Sequence, residues 1–364
     1  MKTTLFTAMI LMNMIATAQD TTLTIETPLP ANPLSFSGYL ETYYSYDFNK
    51  PVDNNRPGFI YNFDRHNEFN LNLGFVKASY NTEKVRGNLA IATGTYMNAN
   101  YAAEPGVLKN IYEANAGFKL GKKNLWLDAG IFSSHIGWEG AIGKDNWTLT
   151  RSIVADNSPY FEAGAKLIYT TDDNKWILSG MALNGFQRIK RVDGNSLMSF
   201  GTQITYKPNA KATLNYSTFI GTDKPDTVRQ MRIYHDVYGI FQLTDKLGLT
   251  VGFDIATEEK SKNSSDINTL YSPVIIAKYA FADKWSLTAR GEYYSDEDGI
   301  IIATGTPNGF RTTGFSMNLD YAPSSNMLFR IEGRTFNSKD DIFTKGSQVK
   351  NSNTFFTTSF AFSF

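Results

Sequence analysis

The sequence predicts an all-β protein: a transmembrane, antiparallel, up-and-down β-barrel of about sixteen strands. Three observations carry this. A secretory signal opens the chain and no membrane-spanning helix comes after it. Period-two alternation then runs through almost the whole length, and the connections between alternating segments are short and long in turn.

The amino terminus, MKTTLFTAMILMNMIATAQD, has a cationic Lys2, an apolar run from Leu5 to Ile15 and the small-x-small triplet Ala16-Thr17-Ala18. Residues 1–18 therefore read as a cleaved signal peptide. Residues 19–34, with Pro28, Pro30 and Pro33, read as a periplasmic leader without a strand of its own, and 35–364 as one barrel domain. Beyond the signal no run of about 18 apolar residues occurs. Export without a helical anchor leaves the periplasm, the exterior or the outer membrane.

Composition narrows the choice. The chain has no cysteine, which excludes disulfides, thiolate metal sites and cysteine nucleophiles. Its 35 basic and 35 acidic residues balance, so no nucleic-acid partner is expected. Aromatic residues make up 14% while mean hydropathy is −0.30. A lipid-facing belt around a polar lumen gives that mixture; a bundle of membrane helices does not.

The first alternating segment is SFSGYLETYYSYDF (35–48), with Leu40, Tyr44, Tyr46 and Phe48 on one face and Glu41, Ser45 and Asp47 on the other. In EFNLNLGF (68–75), Phe69, Leu71, Leu73 and Phe75 are expected to face lipid, against Glu68, Asn70, Asn72 and Gly74. Further segments run near 84–97, 110–120, 124–135, 159–170, 175–188, 197–207, 210–220, 231–243, 246–258, 269–281, 284–295, 309–321, 326–337 and 352–364. Most are longer than a usual globular strand, and long enough to cross a bilayer at a tilt.

The tight connections are NTEK, GKKN, TDDN, KPNA, TDK, ADK and PSSN; the long polar ones lie near 49–65, 98–109, 136–158, 189–196, 221–230, 259–268, 296–308 and 338–351. Short turns on one rim and long loops on the other are what a barrel needs when one end meets the periplasm and the other the exterior. Trp126, Trp176 and Trp285 come just after tight turns, where an aromatic girdle collects, although Trp126 has lumen parity if Leu125, Leu127 and Ile131 face lipid.

In MLFRIEGRTF (327–336), Arg330, Glu332 and Arg334 share one face, and Phe329, Ile331 and Gly333 the other. Unpaired backbone cannot be left in hydrocarbon, so a lipid-crossing sheet closes on itself, and about sixteen strands enclose an aqueous channel. Those three charges are then expected to line it, with Arg86, Glu113, Asp128, Lys166, Asp254, Arg290 and Glu292 on other strands. Mixed signs around the wall give a transverse field without a single-sign filter. At the carboxyl terminus, NTFFTTSFAFSF puts Phe360, Phe362 and Phe364 on one parity, resembling the terminal strand by which outer-membrane barrels are recognised for assembly.

The segments 285–299, 327–336 and above all SSHIGWEGAIGKDNWTLTRSIVADNSPYFEAGAKLIY (133–169) resemble the Bacteroidetes-type β-barrel porin-2 family. The resemblance implies an outer-membrane porin that passes small hydrophilic solutes passively, with outer-membrane lipid and the barrel assembly machinery as its partners, no cofactor, and a homo-oligomeric state open to it. It also makes the long connection 136–158 the candidate for a loop folded into the channel, bringing Glu139, Lys144, Asp145, Arg151 and Asp156 to the constriction. Trp138, Trp147, Leu149, Ile153 and Val154 give this loop apolar surface unsuited to plain solvent.

Two other classes stand beside a porin. One is a barrel subunit of a larger outer-membrane complex, which conductance of the isolated protein separates from a pore. The other is a membrane hydrolase, for which His135, Asp156 and Ser158 would be the triad; no nucleophile elbow surrounds the serine. The only other histidines are His66 and His235, the latter with lipid parity, and no cluster has metal-ligand spacing.

Overall fold

A computed structural model describes residues 32–364, so the signal peptide and the leader up to residue 31 lie outside the described residues. The strands are β1 Leu34–Asp47, β2 Phe69–Asn81, β3 Val85–Thr93, β4 Ile111–Lys119, β5 Leu125–Ser133, β6 Phe161–Thr170, β7 Trp176–Leu183, β8 Ser199–Asn209, β9 Ala212–Gly221, β10 Arg232–Gln242, β11 Leu247–Glu259 and β12 Ile267–Ala282. They continue as β13 Trp285–Asp296, β14 Phe310–Ser324, β15 Met327–Ser338, β16 Phe343–Lys345, β17 Gln348–Lys350 and β18 Ser352–Ser363. All but β16 and β17 form one closed antiparallel barrel, in which each strand pairs with its neighbours in sequence and β18 pairs with both β15 and β1. Strands β16 and β17 make a small hairpin within the last long loop.

Closure removes every free sheet edge, so all ladder N–H and C=O groups of the wall find partners without water. The outward face carries Val76, Leu89, Phe118, Leu178, Ile204, Val237, Phe253, Ile275, Phe315, Ile331 and Phe360, most of them exposed as a lipid-facing surface is. Near the short turns Trp176 stacks on Tyr206 at 4.2 Å and Trp285 on Tyr321 at 4.5 Å, forming part of an aromatic girdle. Trp126 does not join it. Its parity turns it inward, beneath the Arg86 guanidinium at 4.3 Å.

The expected register of β2 holds only for its first residues. Thr42 of β1 pairs with Leu71 but Glu41 pairs with Leu73, which leaves Asn72 as the extra residue of a β-bulge. An inserted residue flips the parity of every residue after it in the strand. Leu73 is consequently buried inside the barrel rather than facing lipid, Phe75 turns in to stack on Tyr112 at 5.0 Å, and Val76 and Tyr80 take over the outer face. The segment expected as a strand to residue 97 ends at Thr93 and gives way to a short helix, α1 (Thr95–Asn100), after Gly94 at φ 127°, where a Cβ would lie 2.3 Å from the Asn72 carbonyl oxygen. Only glycine allows that approach.

The long loops 48–68, 94–110, 134–160, 184–198, 297–309 and 339–351 each contribute residues to the space enclosed by the wall. Phe59, Ile60, Ile136, Trp138, Ile153, Val154, Phe186, Ile302 and Phe343 pack with wall residues such as Phe219, Tyr234, Leu270, Tyr294, Phe310 and Phe336 in one apolar cluster. The barrel thus has two interior zones. Toward the short turns, Lys77, Asn88, Asn115, Lys166, Gln203 and Lys278 are half-exposed; toward the long loops the inward side chains are largely buried.

Candidate functional site: the loop inside the barrel

The loop 134–160, here called L3, leaves β5 and crosses the interior. At its root the two ring nitrogens of His135 meet acceptors on different strands: Nδ1 lies 2.9 Å from Glu162 of β6, and Nε2 2.8 Å from the Thr218 carbonyl of β9. The His135 carbonyl accepts from Ser217 and Gln203. Asp156, by contrast, accepts from Asn62 at 2.6 Å and from Tyr160, so histidine and aspartate serve separate structural contacts.

Irregular backbone inside a barrel has no ladder to satisfy it, and a buried unpaired N–H or C=O costs about 1–3 kcal/mol. The inward charges of β13 and β15 supply the missing partners. Arg330 donates to the carbonyls of Gly143 at 2.8 Å, Thr148 at 3.1 Å and Trp147 at 2.8 Å. Arg290 donates to the Thr150 carbonyl and Arg334 to that of Arg151, both at 2.7 Å. Glu332 accepts from the Thr150 N–H at 2.5 Å and Glu292 from the Ile153 N–H at 2.6 Å. Among themselves the side chains pair Arg290 with Glu332 at 2.9 Å, Arg334 with Glu292 at 2.5 Å and Arg330 with Asp320 at 2.8 Å.

The ten residues expected on the lumen face fall into different settings. Arg290, Glu292, Arg330, Glu332 and Arg334 are dry, at most 5% exposed, because L3 covers them. On the side of the short turns Arg86 pairs with Asp128 at 2.8 Å, and Lys77, which parity in the unbulged register does not send inward, with Glu113 at 2.5 Å. Lys166 lies 4.4 Å over the Phe132 ring. Asp254 of β11 is buried beside its cross-strand partner Asp236, and accepts from Tyr234 at 2.5 Å.

The L3 residues divide in the same way. Arg151 is fully buried and donates to three carbonyls of its own loop, Gly140 at 2.8 Å, Leu149 at 2.6 Å and Ala141 at 3.1 Å. It staples the loop into shape. Glu139 accepts from Thr148 at 3.1 Å and from the Ser152 N–H at 3.0 Å, closing the same knot. Lys144 reaches across to Ser363 of β18 at 2.7 Å. Asp145 is half-exposed, and burial pushes its carboxyl up to about 6; burial does the same to Asp156, also to about 6.

On the far side from the arginines, L3 meets β10, β11 and β12 through two indoles. A Cβ on Gly252 would fall 2.1 Å from the Trp138 ring, and one on Gly248 2.5 Å from that of Trp147, so each ring occupies the space a side chain would need. Between the rings is a crevice of about 20 Å³ lined by Trp138, Glu139, Asp145, Asn146, Trp147, Ile240, Thr250 and Ile276. Sequence reasoning missed these glycines. Gly248 and Gly252 flank Thr250 at period two, and that spacing was the available signal. Among the described residues no group of three or more His, Asp or Glu could hold a metal ion.

A closed sixteen-stranded barrel with a lipid-facing belt, a charged interior and one loop folded across it defines an outer-membrane channel of the porin class. Residues 33–364 match the model of the family described as "Putative beta-barrel porin-2, OmpL-like", and the chain belongs to that family. It is an outer-membrane porin. Solved structures share the fold at low identity: outer-membrane OmpT of Vibrio cholerae (12% identity, TM-score 0.61, covering 91% of this chain and 97% of that one), an anion-selective porin from Comamonas acidovorans (7%, 0.59, 91% and 99%) and the outer membrane channel DcaP of Acinetobacter baumannii (10%, 0.57, 91% and 97%). No curated relative matches the chain.

Proposed function

We propose that L3 is the element that sets the passage, and that the inward charges of β13 and β15 act first as its anchor and only second as a field on the solute. The observation that carries this reading is the set of hydrogen bonds from Arg290, Arg330 and Arg334 to loop carbonyls. Solutes entering from the periplasmic side meet a wet vestibule bordered by Lys77, Lys166 and Lys278; the bore then narrows where L3 lies across it. The solutes are small and hydrophilic, since the wall they first meet is polar.

Liposome swelling with a size series of neutral sugars tests this. Wild-type protein should pass the smallest and exclude the larger, and a variant lacking residues 140–156 should pass larger ones. An unchanged size limit in a heat-modifiable, correctly folded deletion would take the passage away from L3.

Two further parts belong to the same reading. Phe360 and Phe362 face outward on β18, Phe360 lying 4.6 Å from Phe329, and the exposed Phe364 extends the row to the rim as the assembly signal. Homo-oligomerisation is supported by the fold neighbour from Vibrio cholerae, whose structure is described as a trimer form.

A further inference from the structure

The two edges of L3 sit against the same row of the wall. Lateral pairing runs from Ile240 through Thr250, Ile276, Arg290 and Ser316 to Arg334, one residue per strand from β10 to β15. Arg290 and Arg334 flank Ser316 and bind L3 through its backbone. Ile240, Thr250 and Ile276 instead line the crevice, where L3 presents Trp138 and Trp147. Indole against glycine is a van der Waals contact; the directional bonds beside it, from the Gly137 N–H to Asp236 of β10 and from Arg330 to the Trp147 carbonyl, act on the loop backbone and not on the rings.

Resting on the reading of L3 as the element that sets the passage, we propose that solute crosses on the β10–β12 side of the loop, through the crevice between Trp138, Trp147 and Thr250. The channel opens there when the two indoles lift from Gly252 and Gly248 while the arginine edge stays fixed.

Three further observations support the route. A volume of about 20 Å³ admits roughly one water, so anything larger needs the rings to move. The Trp138 indole N–H, buried at 4% exposure, has no hydrogen-bond partner among the described residues, and a passing water or hydroxyl would accept from it. The polar groups around the rings are the Glu139 and Asp145 carboxylates, the Asn146 amide and the Thr250 hydroxyl. Glu139 is balanced by Arg290 at 3.7 Å, so the half-exposed Asp145 carboxylate supplies the field, which favours small cations and neutral hydroxylated solutes over anions. The lining thereby sets the solute class.

The absence of native cysteine makes a direct test possible. Thr250→Cys and Ile240→Cys, reconstituted in planar bilayers, should react with the cationic reagent trimethylammonium-ethyl methanethiosulfonate and lose most of their current. Ser316→Cys, on the same row but under the anchored edge, should keep its current. Under a salt gradient the reversal potential should favour cations, and Asp145→Asn should weaken that preference. Block at Ser316, or no block at Thr250 or Ile240 in a conducting channel, overturns the route; anion preference unaltered by Asp145→Asn overturns the assignment of the crevice lining as selective. A wild-type protein that carries no current fails at the earlier step, as a porin, and takes the route with it.

Discussion

The two edges of L3 are held to one wall by different physics. At β13 to β15 the loop is bound through its main chain by buried arginines and glutamates, each of which would lose its loop partner if it moved. At β10 to β12 two indoles abut Gly248 and Gly252 of β11, beside a small gap. Buried ion pairs are poor net stabilisers, but breaking one is expensive, so they specify position more than they add stability. Ring-on-backbone contact specifies shape and releases with little directional penalty. A loop built this way has its backbone tied on both sides, most densely by the arginines and at Gly137 by Asp236, and leaves two rings that can part from the wall.

The largest test of this contrast is Glu332→Ala. It removes the acceptor of the Thr150 N–H and the nearest of three carboxylates around the buried Arg290, and should cost about 3–5 kcal/mol in a denaturant titration of the folded protein, with new protease cleavage inside L3. Next comes Ile331→Arg, one position from the buried Arg330 but facing lipid; it should cost about 2–4 kcal/mol near the midplane, and a negligible cost would mean that inside and outside are exchanged on β15. Gly252→Ala acts on the other edge. Its methyl must displace Trp138 or strain the wall, which costs about 1–3 kcal/mol, and single-channel conductance should rise. If conductance falls instead, the indole is not the closing element.

The smallest effect is that of pH. Burial raises the Asp145 and Asp156 carboxyls to about 6, above their unfolded value near 4, so the folded loop binds protons that the unfolded chain does not. Their contribution to stability therefore grows as pH falls from 7 toward 5 and is lost as pH rises through 6. L3 should seat more firmly at pH 5 and conductance should be lower there than at pH 7. The double variant Asp145→Asn, Asp156→Asn should flatten that dependence.

Most of the barrel was legible because period two is a direct consequence of strand geometry, and the sorting of loops comes from having two different rims. Legibility failed where one residue broke the period. Asn72 is a single insertion, invisible to any count of alternation, yet it reverses Leu73 and Phe75. At the candidate site parity was legible and partners were not. Parity alone sends Arg290, Glu292, Arg330, Glu332 and Arg334 inward, but whether water or a loop meets them there depends on contacts more than a hundred residues distant in sequence, such as Thr150 to Glu332. Arg151 illustrates the same limit: a charge in a loop read as bore lining is bound to that loop's own carbonyls.

The seam between β1 and β18 carries a consequence for how the molecule comes to exist. The Ser45 and Thr357 hydroxyls that meet across it at 2.8 Å are 312 residues apart, and the Gly38 and Phe364 backbones exchange hydrogen bonds of 2.9 and 3.1 Å at its end. Contacts of such separation form slowly, since the entropy of closing the loop is lost before any pairing rewards it. Through that interval β1 waits with one whole row of N–H and C=O groups unmet, in a medium that offers them nothing. Closure is thus a late, single event in time, and until it happens the half-made sheet is an adhesive edge that must be kept from every other strand in reach.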